Sequence, residues 1–365
     1  MNIIQYLPYS YHIHNWGVEK IAQTLSDGLN ADTNIEVLNI ASTISNKNNH
    51  NHLITKNDTL FIPSFDLIHN FPLPKIWTRE FWQQFRIIKK YKPDIIITHT
   101  RFFVQSMIWG LIAKRLWSKR IHIEHGSGFV TGYPWYIKIV AWLFDRTIGL
   151  WIFRQCDQIV TISQMHKSFI KKFTSKNPIV IYNPIDYIPQ PMDRNSQQIH
   201  IWFVGRLVPL KWVDLLLQAL AKIQKRYRTC TIVGTGSEEQ KLQQLVKDLD
   251  IVDRITFVWA DDRIHRLHRF DILVNPSYQE GVPTTVIEAL MAKCIVVATD
   301  VGGTKEISNE EDLILVEKGN TESIVQWLLL AFDRTVSSGK SYSRVMKKFG
   351  VEQSIEKYKK IIAQK

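Results

Sequence analysis

The chain has 365 residues, 45% hydrophobic and 22% charged, a globular composition; at roughly 150 residues per domain it holds about two domains. The net charge is +12, and residues 1–200 carry most of it, with 22 Lys+Arg against 13 Asp+Glu, compared with 24 against 21 in residues 201–365. A basic first half points to an acidic partner: a phospholipid surface, a phosphorylated substrate or nucleic acid. Cys156, Cys230 and Cys294 lie far apart beside apolar runs, without a C-x-x-C spacing, so a disulfide framework is excluded and three buried thiols in a reducing compartment are expected. The first residues, Met-Asn-Ile-Ile-Gln-Tyr-Leu-Pro, lack a basic region and a cleavage signature. Tyr133 to Phe153, the longest apolar region, is interrupted by Lys138, Asp145 and Arg146 and makes a poor membrane span. The expectation is a cytoplasmic protein, able to sit peripherally on the inner face of the cytoplasmic membrane.

In chain order, a strand is expected at Asn2–Leu7, then a helix whose apolar Val18, Ile21, Ala22, Leu25 and Leu29 follow helical spacing, then a strand at Ile35–Ile40. From Ala41 to Pro74 the pattern is weak and Asn-rich, so loops with one strand near Thr59–Ile62 are expected. Helices follow at Trp77–Tyr91, Phe102–Trp117, Trp135–Arg154 and Gln164–Phe173, alternating with strands at Asp94–Thr98, Ile121–Glu124, Gln158–Ile162 and Ile179–Tyr182. Pro184, Pro189, Pro191 and the polar run Asn195 to Gln198 then break the rhythm and mark a linker at residues 186–198. Beyond it, strands at Ile199–Val204, Cys230–Val233, Ile255–Trp259, Ile272–Asn275, Ile295–Ala298 and Leu313–Val316 alternate with helices at Trp212–Arg226, Glu238–Leu249, Pro283–Ala292 and Glu322–Phe332. Val351–Ile362 reads as a last amphipathic helix. Continuously apolar strands alternating with helices argue parallel sheets covered on both faces. The fold class is α/β, with two facing, Rossmann-like, doubly wound domains at residues 1–185 and 199–345, a cleft between them and a terminal helical segment at residues 346–365. Ligands of such sheets bind at the carboxyl ends of the strands.

Three stretches at those ends carry chemistry. Asn275-Pro-Ser-Tyr-Gln-Glu-Gly-Val-Pro-Thr-Thr-Val-Ile-Glu288 runs from a strand through a loop into a helix, with Pro283 in the first helical turn. Helix-start N–H groups without intrahelical partners make an anion site, flanked here by Glu280 and Glu288. The same stretch can be read as a capped helix with two surface glutamates. Gly205-Arg206-Leu207 ends another strand and Lys211 opens the next helix, a guanidinium and an ammonium that suit a pyrophosphate or two solvated side chains. His125, in Glu124-His125-Gly126-Ser127-Gly128, lies at a third strand end. His99 ends the neighbouring strand, and His12 and His14 lie in the first loop. Gly234-Thr235-Gly236 is half of a dinucleotide fingerprint and is read as a structural turn. His122 and His125 diverge from a strand, and Asp261-Asp262 lacks further ligands, so no metal site is expected. From Arg79 to Arg120 the chain holds ten Lys/Arg and two acids, interleaved with Phe102, Phe103, Ile108, Trp109, Leu111, Ile112, Leu116 and Trp117. That pattern suits an anionic membrane surface or a core helix with a basic rim.

Taken together, Gly205-Arg206-Leu207 with Lys211, Val233-Gly234-Thr235-Gly236, Asn275-Pro276-Ser277, Glu280-Gly281-Val282-Pro283, Glu288-Ala289 and Gly302-Gly303 with Glu306 resemble the GT-B glycosyltransferases of family 4. Glu280 and Glu288 have that family's E-x7-E spacing. Gly17-Val18-Glu19, Lys92-Pro93-Asp94, Asp157 with Ser163, and Asn183-Pro184-Ile185-Asp186 match its weaker landmarks. The resemblance implies a retaining transfer from a nucleoside diphosphate sugar, UDP- or GDP-linked, without a metal or other cofactor. Arg206 and Lys211 would bind the diphosphate, Glu280 the sugar hydroxyls and Glu288 the ribose. Backbone N–H groups across Gly281, Val282, Pro283 and Thr284 would complete the phosphate cradle. His125 would lie near the transferring sugar, Gly17 would let the first loop approach the donor, and the last helix would cross back to the first domain. The catalytic set is thus His125, Glu280, Arg206 and Lys211. Three tryptophans depart from the family's frequent glycines: Trp16 before Gly17, Trp212 after Lys211, and Trp259 at the strand that meets the base.

The acceptor is expected to be a glycan or lipid-linked hydroxyl in bacterial surface polysaccharide or lipopolysaccharide assembly, reached from an anionic membrane through the basic first domain. A sugar-nucleotide epimerase and a non-catalytic glycosyltransferase-like partner are the alternatives. Nucleic acid is not expected, because no recognisable binding motif accompanies the positive charge.

Overall fold

The computed structural model describes residues 1–7, 17–43, 59–66, 72–100, 104–126, 135–186, 199–258, 272–309, 312–333 and 340–364. Outside them lie residues 187–198 of the expected linker, His12, His14, Trp16, Phe102, Phe103, Ser127, Gly128, Trp259, Asp261 and Asp262. The chain divides into two compact units, Ile185–Gly350 and, around it, Met1–Pro184 with Val351–Lys365.

In the first unit, β1 (Asn2–Leu7), β2 (Glu36–Thr43), β3 (Thr59–Asp66), β4 (Pro72–Pro74), β5 (Ile95–His99), β6 (Lys119–Glu124), β7 (Gln158–Thr161) and β8 (Ile179–Val180) form one sheet in the order β4-β3-β2-β1-β5-β6-β7-β8. All pairs are parallel except β3 with β4. Strand order reverses between β1 and β5, so the carboxyl ends of β1, β5 and β6 frame a topological switch point. Helix α1 (Gly17–Asn30) buries Ile21, Ala22, Leu25 and Leu29, the stripe set by its periodicity. The other α-helices among the described residues before the second unit are α2 (Arg79–Tyr91), α3 (Val104–Leu116), α4 (Trp135–Phe144), α5 (Leu150–Gln155) and α6 (Gln164–Ile170).

The second unit has β9 (His200–Val204), β10 (Thr229–Val233), β11 (Ile255–Val258), β12 (Ile272–Asn275), β13 (Ile295–Thr299) and β14 (Leu313–Val316), all parallel, in the order β11-β10-β9-β12-β13-β14. Among the described residues its α-helices are α7 (Val213–Lys222), α8 (Glu239–Asp248), α9 (Thr284–Met291), α10 (Thr321–Phe332) and α11 (Lys340–Phe349). Ile201, Phe203, Leu216, Leu220, Ile232, Val297 and Leu328 lie in one buried apolar cluster. The switch point here falls between β9 and β12.

The final helix α12 (Val351–Ala363) is part of the first unit. It buries Ile355, Tyr358, Ile361 and Ile362, and a Cβ on Gly28 of α1 would lie 2.5 Å from Ile355 Cγ1. Lys119 Nζ donates to the Ile361 carbonyl at 2.8 Å, and Lys359 Nζ bonds Asp32 at 2.8 Å. Within the second unit, the Ile185 N–H donates to the Phe349 carbonyl at 2.9 Å, so the first and last residues of that unit lie side by side.

Several elements differ from the sequence expectation. Residues 59–74 carry two strands, because Pro72–Pro74 pairs antiparallel with Ser64–Asp66. Helix α2 starts at Arg79, where Thr78 caps it by accepting from the Phe81 N–H at 3.3 Å. The helix expected at Trp135–Arg154 is interrupted by a π turn at Asp145–Gly149. The segment given to one terminal helix from residue 346 holds the end of α11 and, after Gly350, α12. The three cysteines are buried and unpaired.

Candidate active site

At the switch point of the second unit, the carboxyl end of β9 presents Gly205 and Arg206. The turn is fixed from below by its neighbours: the Gly205 N–H donates to the Val233 carbonyl and the Leu207 N–H to that of Thr235. Gly234, at φ 146°, packs so closely that a Cβ there would lie 1.8 Å from the Gly205 carbonyl oxygen. The Gly234-Thr235-Gly236 turn therefore buttresses the Arg206 loop. Arg206 is exposed and has no ion pair among the described residues. Lys211 was expected to open the helix; instead it closes a 3₁₀ turn, Pro209–Lys211, and α7 begins at Val213. Pro209 stabilises that turn at its first position, and Trp212, left-handed at φ 47°, separates it from the helix.

From the adjacent β12 come Asn275, Ser277 and Glu280. Glu280 Oε1 accepts from Lys211 Nζ at 2.5 Å, with both side chains mostly shielded from solvent. The same oxygen lies 2.7 Å from Ser277 Oγ and 3.4 Å from Asn275 Nδ2. Ser277 Oγ is also 2.6 Å from Asn275 Oδ1, so its single proton is shared between two acceptors. Thr299 Oγ1 at the end of β13 donates to the Ser277 carbonyl at 2.6 Å. The loop is closed underneath by Gly303, whose N–H donates to the Gly281 carbonyl at 2.6 Å. Gly302 is left-handed, and a Cβ there would lie 2.1 Å from the Glu280 carbonyl oxygen.

Pro283 is the N-cap of α9 in extended conformation, not a residue of its first turn, and brings no N–H. Its carbonyl accepts from the Ile287 N–H at 3.4 Å. The N–H groups of Thr284, Thr285 and Val286 precede that first helical bond and are the ones left for an anion. Val282 and Pro283 are buried, and Glu288 lies half-buried in the second turn of α9. The structure thus brings Arg206, Lys211, Glu280, Gly281, Thr284 and Glu288 to one end of one sheet.

In the first unit, His99 ends β5 and His125 follows β6. Their rings are stacked 5.3 Å apart, with His99 Nδ1 3.0 Å from His125 Nε2. The His125 carbonyl accepts from His166 Nε2 at 3.1 Å. A carbonyl can only accept, so His166 carries its proton on Nε2, and its Nδ1 accepts from Ser163 Oγ at 2.5 Å. Ser163 also caps α6. Beneath them His122 lies between Thr98 Oγ1 at 2.9 Å and Glu124 Oε2 at 3.4 Å, and the Gly126 N–H donates to Glu124 Oε1 at 2.7 Å. Burial pushes His125 down to about 4, against the pull of the Glu124 carboxylate, and holds His99 well below the usual imidazole range. Both rings are neutral near pH 7. Gly17 begins α1 beyond the end of β1.

Glycosyltransferase Family 4 matches residues 17–187, and Glycosyl transferases group 1 matches residues 198–333. An O-antigen biosynthesis glycosyltransferase of Escherichia coli, WbnH, is 30% identical, covering 78% of this chain and 81% of its own. The chain belongs to the GT-B glycosyltransferases of family 4. An uncharacterized glycosyltransferase of Methanocaldococcus jannaschii, MJ1069, is 27% identical over 94% of this chain and 93% of its own. The fold of this glycosyltransferase is similar to that of sucrose-phosphate synthase from Thermosynechococcus elongatus, with a TM-score of 0.80, 18% identity, and coverage of 99% of this chain and 98% of that one. Anabaena HepE, solved in complex with UDP and glucose, gives a TM-score of 0.75 at 14% identity, covering 100% and 99%.

Sequence reasoning about this family-4 glycosyltransferase did not single out the side chains that hold the charged ones. Asn275 and Ser277 stood in the motif, yet their bonds to Glu280 follow from the loop's closure. His166 had no signal, since it meets His125 across 41 residues of chain. Among the described residues, no group of three or more His, Cys, Asp or Glu side chains could hold a metal ion, and no helix is long and apolar enough to cross a membrane.

Proposed function

We propose that this glycosyltransferase moves a sugar from a nucleoside diphosphate sugar to a hydroxyl of a glycan or lipid-linked acceptor, with retention at the anomeric carbon. The observation that carries the reading is the convergence of Arg206, the Lys211–Glu280 pair and the N-terminus of α9 at one switch point. Breaking the bond between sugar and diphosphate leaves the electron pair, and its negative charge, on a phosphate oxygen. Arg206 can take two phosphate oxygens in a fork, and Lys211, with one of its three N–H donors on Glu280, has two left for the leaving group. Such preorganised cations lower the barrier without needing to reorganise. In this reading Glu280, anchored by Lys211 and Ser277, accepts from sugar hydroxyls, and Glu288 accepts from the ribose. No residue of this site is assigned as a covalent nucleophile; a front-face route, with the departing diphosphate helping to take the acceptor proton, fits the groups present. UDP is the first nucleotide to try, because HepE was solved with it; GDP is the second.

For the acceptor, WbnH acts in O-antigen biosynthesis, and a lipopolysaccharide outer core galactosyltransferase, WaaB, shares the fold. A surface-polysaccharide or lipopolysaccharide acceptor carried on lipid follows as our reading, together with docking on an anionic membrane. The basic first half supports it. So does α4, which leaves Trp135, Tyr136, Ile139, Val140, Trp142 and Leu143 exposed beside Lys138 and Arg146. By contrast α3, the helix whose sequence pointed to a membrane, buries Trp109 against Tyr6 and buries Ala113, so its inner face belongs to the core.

The test is a screen of UDP-, GDP- and ADP-sugars for hydrolysis that releases free nucleoside diphosphate, with and without polyprenyl-linked acceptors. Release from one nucleotide series is expected. A folded protein that releases none of them overturns the reading.

A further inference from the structure

Trp212 occupies a backbone conformation that suits it badly. At φ 47° and ψ 40° it is left-handed, a region that bulky L-residues adopt at a cost and glycine adopts freely. Strain of this kind persists where the surroundings hold it in place. Here the indole ring meets Tyr278 edge-on, with centroids 4.9 Å apart and planes at 71°. Its far edge lies against Gly319, where a Cβ would come within 3.0 Å of Trp212 Cη2. Lys318 Nζ sits 3.4 Å from the centre of the Tyr278 ring. The Tyr278 N–H donates to the Leu210 carbonyl at 2.8 Å. These contacts tie together three chain segments at the carboxyl ends of β9, β12 and β14. Lys211 precedes Trp212 directly, and Glu280 follows Tyr278 by two residues.

We propose that Trp212 is a positioning residue for the Lys211–Glu280 pair: its indole, held between Tyr278 and Gly319, fixes the turn that carries Lys211 against the loop that carries Glu280. The proposal rests on the reading of Lys211 as a ligand of the donor diphosphate. A tryptophan kept only for stability makes the opposite forecast from a positioning one. Trp212→Gly relieves the backbone strain and removes the clamp, so stability and nucleotide binding part company in that variant.

The experiment measures dissociation constants for UDP, GDP and ADP by calorimetry, with Tm, for the full chain and for Trp212→Gly, Trp212→Phe, Lys211→Ala and the Trp212→Gly/Lys211→Ala double variant. For the nucleotide that binds the unaltered chain, we expect Trp212→Gly to weaken binding about tenfold with Tm unchanged or raised, since small misplacements of a binding group are costly. Trp212→Phe keeps an aromatic clamp and stays within about threefold. The double variant binds no more weakly than Lys211→Ala, because groups acting through one another are not additive. Unchanged affinity in Trp212→Gly, or a loss that adds in full to that of Lys211→Ala, overturns the proposal and leaves the diphosphate reading standing. Full affinity in Lys211→Ala, or no binding of any of the three nucleotides, overturns both. Should Trp212→Gly not fold, Tyr278→Leu breaks the same clamp from its other side: about tenfold weaker binding supports the proposal, and unchanged affinity overturns it.

Discussion

Charge at single residues decides what the second unit can bind. Arg206 is exposed on a buttressed turn and has no ion pair among the described residues, so a diphosphate bound there, as proposed, would displace none of them. Removing one preorganised donor of this kind costs about 10²–10³ in turnover. Arg206→Ala is therefore expected to lose that much in a donor-turnover assay while keeping its Tm, and near-normal turnover in the folded variant would remove Arg206 from the leaving-group site. Neutral histidines make the complementary statement for the first unit. An unfolded chain protonates His99 and His125 near pH 6.5, whereas the folded chain holds His125 down to about 4 and His99 also well down. Between those limits the unfolded state binds protons that the folded state does not. Stability is then present above pH 6.5 and falls as the pH drops toward 4, by up to about 1.4 kcal/mol per pH unit for each histidine. Urea midpoints at pH 7.5, 6 and 5 measure the slope, and His99→Asn should flatten it. The positions of Arg206, Lys211, Glu280 and His125 in segments that follow strands were legible, because each belongs to a local motif. His166 was not legible as a support for His125, since that contact spans 41 residues of chain and has no spacing in the sequence.

At the level of elements, alternating apolar runs identified both sheets, while the details came from contacts that periodicity does not encode. Strand β4 was invisible, because a Pro-Leu-Pro segment has no strand pattern and forms only by pairing with β3. The left-handed Trp212, which moves the start of α7 to Val213, contradicts local propensity and is held by tertiary packing. The two tryptophan-bearing helices show the same limit. One read as apolar with interleaved basic residues and the other as an apolar stretch interrupted by charges, yet Trp109 of α3 stacks on Tyr6 in the core while Trp135, Tyr136 and Trp142 of α4 are exposed. Sequence gives the composition of a helix; which side meets the sheet depends on neighbours. If α4 is the membrane contact, Trp135→Ala/Trp142→Ala should lose sedimentation with anionic liposomes at low salt, with Tm and donor hydrolysis unchanged. Binding as strong as that of the unaltered chain would exclude α4 as the contact.

At the scale of the whole molecule, the sequence of one unit is inserted into the sequence of the other. The sequence marked a Pro-rich break after residue 184 and a last amphipathic helix at Val351–Ile362, but the return passage at Gly350 carries no proline to mark it. What locates it is packing: Ile355, Tyr358, Ile361 and Ile362 are buried, and each such side chain contributes about 1.5–3 kcal/mol. A chain ending at Gly350 should therefore keep a protected second unit and lose protection in α1 and in the sheet of the first. Hydrogen exchange on the truncated protein reads this directly, and equal protection of both units would show that α12 is dispensable.

The terminal helix also sets a timetable on the ribosome. The first unit is synthesised first, but its closing element emerges only after about 165 residues of the second, some ten seconds later or more at 5–20 residues per second. Until then the groove over Gly28 that Ile355 will fill stands open to water and to other nascent chains. Domains usually mature in the order of their translation; here the unit begun first is finished last. Expression conditions that slow elongation should prolong that exposure, and a chaperone that covers apolar grooves should matter more for this chain than its modest length would imply.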